Sequence, residues 1–287
     1  MAGTEFPDQR GRTVIVTGAN SGLGFEAARA LGLAGAKVIM ACRDAEKAKA
    51  AADAIEGDTE VRSLDLADLS SVRAFAGGVD GVDVLINNAG VMAVPHGTTP
   101  DGFELHIGVN HLGPFALTGL LIDRVRDRVV TVSSGLHVLG RIRSDLDFER
   151  GRYRRWPAYA RSKLANFLFA YELQRRLSAA GRPTLSVATH PGLAATEGQR
   201  RDTSLQGKIL AGGRAQSPRM GALPMLYAAT APGVVGGTCV GPDGFMQRNG
   251  YPTVVRSSRR SRDVALAARL WERSEALTGV RFAVEPL

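Results

Sequence analysis

The stretch from Arg12 to Cys42 constrains the fold of this chain more than any other part of the sequence. It begins with a β-branched run over Arg12–Thr17, continues through a glycine-rich turn, and then shows a helical pattern (FEAARALGLAGA) and a second apolar run over Lys37–Cys42. A strand, a glycine-rich turn, a helix and a second strand in this order are typical of the first βαβ unit of a dinucleotide-binding sheet. The alternative is an ordinary glycine-rich turn that joins two elements and binds nothing.

The turn itself has the spacing Gly-x-x-x-Gly-x-Gly over Gly18–Gly24. Glycines let the backbone turn sharply and come close to a pyrophosphate, and the negative charge of that group meets the free amides of the helix N-terminus. The sequence therefore predicts a phosphate-binding turn at this point. The residues of the turn that we assign to cofactor binding are Gly18, Asn20, Ser21, Gly22, Leu23 and Gly24.

Alternating strands and helices continue along the remaining chain. With 287 residues, 44% of them hydrophobic, the chain can bury the core of one α/β domain. We therefore predict a single-domain Rossmann-type fold over residues 1–287, with a doubly wound parallel sheet of about seven strands flanked by helices. The further predicted strands are Thr59–Leu64, Val82–Ile86, Arg128–Ser134, Thr184–Thr189 and Gly237–Val240, and later helices are predicted over about Asp101–Leu121, Ser217–Thr230 and Arg262–Leu277.

The end of the second strand indicates which dinucleotide binds. An NAD-binding protein typically has an acidic side chain there for the ribose 2′-hydroxyl, whereas an NADP-binding protein supplies an arginine. Here the strand ends at Cys42 and is followed by Arg43 and Asp44. We expect Asp44 to cap the helix AEKAKAAADAI, which leaves Arg43 to pair with a 2′-phosphate. The sequence thus favours NADP(H) over NAD(H).

A tyrosine and a lysine at Tyr159 and Lys163 begin the helical run YARSKLANFLFAYELQRRL. Side chains four positions apart on a helix lie on the same face, about one turn from each other. A phenol has an unperturbed pKa of about 10, and a neighbouring ammonium favours its phenolate form. The pair can therefore act as one proton-transfer unit, and the alternative is a solvated helix face with no chemical role.

Together these motifs resemble the short-chain dehydrogenase/reductase family over about residues 12 to 280. The resemblance rests on the turn TGANSGLG, the segment Asn-Asn-Ala-Gly at 87–90 after an apolar strand, the serine pair at 133–134 and the Tyr-x-x-x-Lys pair. The segments GLHVLGRIRSDLDFERGRYRRWPA and SKLANFLFAYEL resemble the retinol dehydrogenase-like branch. The resemblance implies hydride transfer between a nicotinamide and a carbonyl or alcohol carbon.

The resemblance also implies four catalytic roles. Tyr159 exchanges a proton with the substrate oxygen, and Ser134 hydrogen-bonds that oxygen and stabilises its developing charge. Lys163 lowers the pKa of the tyrosine and holds the nicotinamide ribose. Asn110 positions a water that leads to the lysine, although a purely structural asparagine at a helix irregularity before Pro114 is the alternative.

Further cofactor contacts follow from the same resemblance. Asp65 and Leu66 lie at the adenine edge, although Asp65 can also cap the next turn, and Asn88 and Gly90 border the adenine ribose. The segment that receives the nicotinamide carboxamide contains Pro191, Gly192 and Thr196. Tyr159 and Lys163 are counted among the cofactor contacts as well.

Two segments are expected to shape the substrate side. The insertion near 135–158 forms part of the rim, and its apolar residues Leu136, Val138 and Trp156 indicate a lipophilic small-molecule carbonyl or alcohol. The segment near 193–216 is polar and poorly periodic, which is typical of a mobile lid over substrate or of an inert surface loop.

Composition excludes several other classes of function. The two cysteines, Cys42 and Cys239, lie in apolar runs, and His96 and His106 have no partners at metal-ligand spacing, so we expect neither a disulfide scaffold nor a metal site. The net charge is +8, but the basic residues are scattered, which argues against nucleic-acid binding. The densest clusters, Arg152–Arg155 and Arg256–Arg260, are interpreted as solvated loops, with an anionic binding patch as the alternative.

Location and assembly are predicted from the same data. We find no apolar run near the roughly 18–20 residues that span a bilayer and no signal-peptide pattern at the start. We therefore predict a cytoplasmic protein without a membrane span. The resemblance implies a homo-oligomer, a dimer or tetramer, formed through the helices that begin near residues 101 and 159.

A rival function is a catalytically silent NADP(H)-binding regulator or scaffold with the same fold. Such a protein typically lacks the tyrosine, the lysine or the serine, and all three are present here. An epimerase would use the same tyrosine and lysine, and consumption of NADPH with a panel of carbonyl compounds separates it from a reductase.

Overall fold

The computed structural model describes residues 6–143, 152–194 and 215–283. Eight strands form one sheet in the order β3-β2-β1-β4-β5-β6-β7-β8. Neighbours from β3 to β7 are parallel, and β8 pairs with β7 in the antiparallel direction. The strands are β1 Thr13–Thr17, β2 Lys37–Cys42, β3 Thr59–Ser63, β4 Val82–Asn87, β5 Val125–Val132, β6 Leu185–Thr189, β7 Cys239–Pro242 and β8 Pro252–Val255.

Helices cover both faces of this sheet. In the described ranges they are α1 Gly22–Leu33, α2 Ala45–Asp53, α3 Leu69–Gly77, α4 Leu105–Ile107, α5 Gly113–Leu121, α6 Arg155–Ala179, α7 Pro218–Thr230 and α8 Val264–Thr278. A π-helical stretch, Gly108–Leu112, joins α4 to α5, and short 3₁₀ turns occur at Ile122–Arg124, Gly135–Leu139, Phe245–Gln247 and Arg260–Arg262.

The alternation of side chains along the strands explains the two layers. In β1, Val14 and Val16 belong to the core cluster that contains residues of α1, α2 and α7. Ile15 points to the opposite face and belongs to the cluster that contains residues of α3, α5 and α6. Because successive side chains of a strand point to opposite faces, a continuous apolar run requires cover on both sides.

The predicted fold class is confirmed, and three details differ. The sheet has eight strands rather than about seven, because Pro252–Val255 forms an additional edge strand. The helix predicted from Asp101 begins at Leu105, and it changes to π geometry before Pro114. The predicted fifth strand begins earlier, at Val125, since a single 3₁₀ turn replaces the short connection that follows α5.

The stretch Leu105–Arg124 corrects the expectation about apolar runs. It has 20 residues and a mean hydropathy of 1.3, which suffices by length and composition for a membrane span. However, 78% of its most apolar window is buried inside the protein, and the side chains of α5 belong to the core beneath the sheet. The core helix of a compact protein has the same composition, so this stretch is weak evidence for a membrane span.

Candidate active site

A cleft of about 1660 Å³ opens at the carboxyl ends of β1, β2, β4, β5 and β6. This volume exceeds the roughly 300–1,000 Å³ of a pocket for one drug-sized ligand, so the cleft has room for a dinucleotide and a substrate together. Most of the predicted site residues line it, namely Gly18, Asn20, Ser21, Gly22, Leu23, Gly24, Arg43, Asp65, Leu66, Asn88, Gly90, Ser134, Tyr159, Lys163, Pro191 and Gly192. Asn110 lies behind the wall, and Thr196 is outside the described residues.

Tyr159, Ser134 and Lys163 come together at one end of this cleft. Tyr159 and Lys163 lie on successive turns of α6, and both are buried. The Lys163 Nζ is 5.8 Å from the centroid of the tyrosine ring, and it donates a hydrogen bond to the Val132 carbonyl at the end of β5. Ser134 follows that strand, and its hydroxyl hydrogen-bonds the tyrosine phenol. The solvated-face interpretation of the pair is therefore wrong.

Burial sets the protonation states of this cluster. It raises the pKa of Tyr159, and the hydrogen bond with Ser134 acts in the opposite direction. It lowers the pKa of Lys163 to about 8, so the ammonium stays largely protonated at neutral pH. The sequence predicted that Lys163 lowers the pKa of Tyr159. In the structure this pKa is raised, because desolvation of the phenolate outweighs the other contributions. The phenol of Tyr159 is accordingly protonated at neutral pH in this structure.

Asn110 lies in the π-helical stretch and is fully buried. Its Nδ2 donates to the Val91 carbonyl and to the Ser162 hydroxyl, both at 2.9 Å, and its Oδ1 accepts from the Val91 amide at 2.7 Å. A Cβ on Gly90 would lie 2.9 Å from that Oδ1 and 3.4 Å from the Lys163 Nζ. The side chain of Asn110 therefore fixes the segment after β4 close to the lysine, in agreement with the structural alternative. The water that the resemblance implies stays a prediction.

The glycine-rich turn has the geometry that a phosphate-binding turn requires. Gly18 and Gly22 have positive φ angles of 66° and 55°, which favour glycine. A Cβ on Gly24 would lie 2.3 Å from the Gly18 carbonyl oxygen and 2.5 Å from the Asn88 Nδ2. The N-cap residue of α1, Ser21, makes no side-chain capping bond, and the first turn contains no acidic residue. The first amides of α1 are thus left for an anion, and these residues fit a dinucleotide pyrophosphate.

The asparagine after β4 supports the turn from the neighbouring strand. The Asn88 Nδ2 donates to the Thr17 carbonyl at 2.8 Å, and the Asn88 amide donates to the Thr17 hydroxyl at 3.0 Å. These bonds hold the ends of β1 and β4 together beneath the cleft. Asn88 therefore stabilises the sheet beneath the cleft, and its contact with the adenine ribose stays a prediction.

Two basic side chains, Arg43 and Lys47, lie near the end of β2 together with Asp44, whose carboxylate already has hydrogen-bond partners. Asp44 caps α2 by accepting from the Lys47 amide at 3.0 Å, as the sequence predicted, and it pairs with the Lys47 Nζ at 2.9 Å. The cap and the lysine hydrogen bond lower the pKa of this carboxyl. Arg43 is exposed and lines the cleft beside Lys47. Lys47 was missed by sequence reasoning, although its place one helical turn after Arg43 and Asp44 is visible in the sequence.

Asp65 closes the turn after β3 and lines the cleft, while its contact with the adenine stays a prediction. Its Oδ1 accepts from the Ala67 amide at 2.9 Å, so the side chain closes the turn that follows β3, and the residue still lines the cleft with Leu66. The next helix is capped by Asp68, which accepts from the Ser70 amide at 2.8 Å. Asp65 therefore shapes the wall of the cleft beside the end of β2.

The segment after β6 lines the cleft, and it contains a glycine at a position where a larger residue would clash. Gly192 has a φ of 67°, and a Cβ there would lie 2.4 Å from the Arg248 carbonyl oxygen. Pro191 and Gly192 both line the cleft, as predicted. The lid predicted near 193–216 and the insertion near 135–158 lie partly outside the described residues, because 144–151 and 195–214 are not covered.

Two histidines at the substrate end were not predicted. The His137 Nδ1 donates to the Ser134 carbonyl at 2.8 Å, and its Nε2 accepts from the Ser258 amide at 3.0 Å. The His190 Nε2 donates to the Gln247 Oε1 at 2.9 Å. Burial lowers the pKa of His137 to about 4 and also lowers that of His190, so both rings are neutral at pH 7. Ser258 and Gln247 are each more than 50 positions from the histidine that they contact, and no local pattern shows such contacts.

The remaining predicted features have separate places in the fold. His106 is buried, with its Nδ1 donating to Glu104 Oε1 at 2.8 Å, and His111 is buried beside Ser274, at 2.8 Å from its hydroxyl. Within the described ranges no group of three or more histidines, cysteines or carboxylates could hold a metal ion. Cys42 and Cys239 are both buried free thiols.

Comparisons with known proteins agree with this geometry. The sequence profile described as short chain dehydrogenase matches residues 12–206. Retinol dehydrogenase 13 from Homo sapiens is 41% identical over 292 residues, covering 94% of this chain and 85% of the relative. Retinol dehydrogenase 12 from Homo sapiens is 42% identical over 290 residues, covering 95% and 88%. The crystal structure of an uncharacterised protein from Mycobacterium paratuberculosis is 50% identical, with a TM-score of 0.84 over 97% of each chain.

Proposed function

Because this chain belongs to the short-chain dehydrogenase family, on its retinol dehydrogenase-like branch, we propose that it transfers a hydride between NADP(H) and a lipophilic carbonyl or alcohol. The family match makes the chain an oxidoreductase. The preference for NADP(H), the catalytic role of Tyr159 and the lipophilic substrate are the further content of the proposal. A cytoplasmic location and a dimer or tetramer stay predictions.

The observation that carries this function is the cluster of a buried phenol, a buried ammonium and the partly exposed Ser134 hydroxyl in the same cleft as the glycine-rich turn. When bound, the nicotinamide supplies the hydride. Tyr159 holds the proton for the substrate oxygen, since its raised pKa keeps the phenol protonated. Ser134 orients that phenol and offers a second hydrogen bond to the same oxygen. Lys163 keeps a positive charge within one helical turn of the phenol, which stabilises the phenolate that remains after proton transfer.

Residues of the first βαβ unit would hold the cofactor. The uncapped amides of α1 and the turn Gly18–Gly24 suit the pyrophosphate, and Arg43 with Lys47 suits a 2′-phosphate. The carboxylate of Asp44 already binds the amide and the ammonium group of Lys47 in α2. These features support NADP(H) over NAD(H).

Replacing Arg43 with aspartate is expected to change the cofactor preference. The charge-assisted pair with a 2′-phosphate is lost and a repulsive charge takes its place, whereas an aspartate suits a free 2′-hydroxyl. We expect the ratio of kcat/KM for NADPH over NADH to fall by about 100-fold or more. Steady-state kinetics with both cofactors measures this ratio. Arg29→Asp is a control, because Arg29 lies outside the cleft and pairs with Glu26; an unchanged ratio in Arg43→Asp contradicts the NADP(H) assignment.

Apolar side chains at the substrate end support a lipophilic substrate. Leu136, Val138 and Trp156 line the cleft, as predicted from the insertion, and Met92 and Met246 join them. The Trp156 ring lies edge-on to the Tyr159 ring, with centroids 6.2 Å apart. An apolar surface next to the phenol favours a substrate whose carbonyl or hydroxyl group is attached to a hydrocarbon body.

A panel of carbonyl and alcohol compounds tests the proposal directly. The purified protein is incubated with NADPH and aldehydes or ketones of increasing hydrocarbon length, and with NADP⁺ and the matching alcohols, and absorbance at the NADPH band is followed. We expect turnover to rise with hydrocarbon length. Binding of NADPH without turnover of any member of the panel would favour the regulator or scaffold function instead.

A further inference from the structure

The basic cluster Arg256–Arg260, which we interpreted as a solvated loop, contributes to the cleft. Residues 246–248 and 256–258, here called the C-terminal rim, line the same cleft as Tyr159. Arg256 directly follows the edge strand β8, and Arg248 precedes it. Both arginines are exposed. The arginines of the other basic cluster, Arg152–Arg155, are exposed as well, but none of them lines the cleft.

Hydrogen bonds tie this rim to the catalytic residues. The Gln247 Nε2 donates to the Arg256 carbonyl at 3.1 Å, while its Oε1 accepts from His190 at 2.9 Å. The amide of Ser258 donates to His137, whose other ring nitrogen donates to the carbonyl of Ser134. Arg256 therefore lies two residues before Ser258, and the His137 ring links Ser258 to Ser134.

The second arginine is held beside the segment that follows β6. The Arg248 carbonyl accepts from the Leu193 amide at 2.6 Å and leaves no room for a Cβ on Gly192. The two residues before it, Met246 and Gln247, have positive φ angles of 52° and 56° although neither is glycine. Such costly backbone conformations cluster at ligand sites, where the surrounding contacts maintain them.

The charges that line the cleft are unevenly distributed. Its two described carboxylates, Asp44 and Asp65, lie at the ends of β2 and β3, where the adenosine part of the cofactor is expected. Among the described lining residues of the C-terminal rim there are two arginines and no carboxylate, and neither arginine forms an ion pair there. Uncompensated positive charge in a cleft attracts anions, and the guanidinium group binds carboxylate or phosphate oxygens in pairs.

We propose that Arg256, together with Arg248, binds an anionic group on the substrate, and that the substrate class is an amphipathic carbonyl or alcohol compound with an apolar body and an anionic end. The apolar side chains of Val138 and Met246 line the cleft together with these arginines and the catalytic phenol. This inference rests on the proposed oxidoreductase function, and it adds a charge requirement to the lipophilic one.

Matched substrates test the charge requirement. The wild-type protein and the variants Arg256→Gln, Arg248→Gln and Arg256→Lys are assayed with a long-chain aldehyde that ends in a carboxylate, with its methyl ester and with an analogue that ends in a phosphate. The wild type is expected to show a kcat/KM for the charged compounds about 10- to 100-fold above that for the ester, as one or two charge-assisted bonds provide. Arg256→Gln removes most of this ratio, and Arg256→Lys restores part of it. Comparison of carboxylate with phosphate shows which anion is preferred.

Arg259→Gln is the matched control, because Arg259 is exposed in the same segment but does not line the cleft. The ratio of charged to ester substrate should be unchanged in this variant. An ester that is reduced as well as the carboxylate by the wild type overturns the inference and leaves the proposed function standing. So does a rise in KM for NADPH in Arg256→Gln and Arg248→Gln with an unchanged substrate ratio, since the arginines would then bind the cofactor.

A binding measurement separates failure of the proposed anion site from failure of the proposed oxidoreductase function. Calorimetric titration with the matching carboxylic acid and its ester is independent of turnover. Tighter binding of the acid that is lost in Arg256→Gln supports the anion site even in the absence of catalysis, in which case the oxidoreductase proposal alone fails. Equal binding of acid and ester by the wild-type protein overturns the anion site.

Discussion

Replacing Tyr159 with phenylalanine is expected to reduce kcat by about 10²- to 10⁴-fold, the usual contribution of a general acid. The substitution removes one hydroxyl group and keeps the ring, which packs edge-on against His106 and Trp156. The fold and the cofactor contacts of the glycine-rich turn should therefore persist. Single-turnover kinetics with NADPH measures the loss, and fluorescence titration checks that NADPH still binds.

A second tyrosine provides the control for this experiment. Tyr153 lies close to the active site, but its hydroxyl donates to the Val94 carbonyl at 2.8 Å, and it does not line the cleft. Tyr153→Phe removes the same atom from a phenol without access to substrate, so its effect on kcat should be much smaller. Near-native turnover in Tyr159→Phe, or equal losses in the two variants, would contradict the assignment of Tyr159 as the proton donor.

The pKa directions favour carbonyl reduction as the reaction of this cluster at neutral pH. A phenol whose pKa is raised by burial keeps its proton until a substrate oxygen accepts it. Alcohol oxidation instead starts from a phenolate, and the pKa of Lys163, lowered to about 8, means that the stabilising ammonium is itself lost as pH rises above that value. For the proposed function we therefore expect these two groups to support carbonyl reduction over a neutral pH range.

Most of the fold was predictable because its signals are local. Apolar strands, the glycine spacing at Gly18–Gly24 and the Tyr159/Lys163 pair each lie within a short window of sequence. Parallel strands of a doubly wound sheet end at the same edge, so the order of the motifs was sufficient to bring Ser134, Tyr159 and the glycine-rich turn together. Asp44 is another example, since an acidic residue before a helical run is a capping signal.

The parts that sequence reasoning missed depend on distant contacts. Within the described residues, the edge strand β8 pairs with β7 alone and is exposed along much of its length, so it does not require the continuous apolar run that marks a buried strand. His137 joins Ser134 to Ser258 across more than 100 positions, and this link is one of the contacts that hold the segment of Arg256 beside the cleft. The raised pKa of Tyr159 has the same origin, because burial is a property of the folded molecule.

Replacing Gly24 with alanine is expected to weaken cofactor binding strongly and to lower stability. The added methyl would lie 2.3 Å from the Gly18 carbonyl oxygen and 2.5 Å from the Asn88 Nδ2, and a backbone carbonyl cannot give way like a flexible side chain. Overpacking of this kind costs about 1–3 kcal/mol of folding free energy. The carbonyl that must shift belongs to the turn in which the pyrophosphate would lie, so we expect the dissociation constant for NADPH to rise by roughly 100-fold or more.

The substitution of Gly77 by alanine is the control for Gly24→Ala, because the chemical change is identical and the surroundings differ. A Cβ on Gly77 meets no atom within 4 Å, and Gly77 is the last residue of α3. Alanine stabilises helical positions by up to about 1 kcal/mol relative to glycine, so this variant should unfold at the same or a slightly higher temperature and bind NADPH normally. Thermal unfolding and NADPH titration of both variants decide the matter. Normal NADPH affinity in Gly24→Ala would show that the close contact between the turn and Asn88 does not shape the phosphate site.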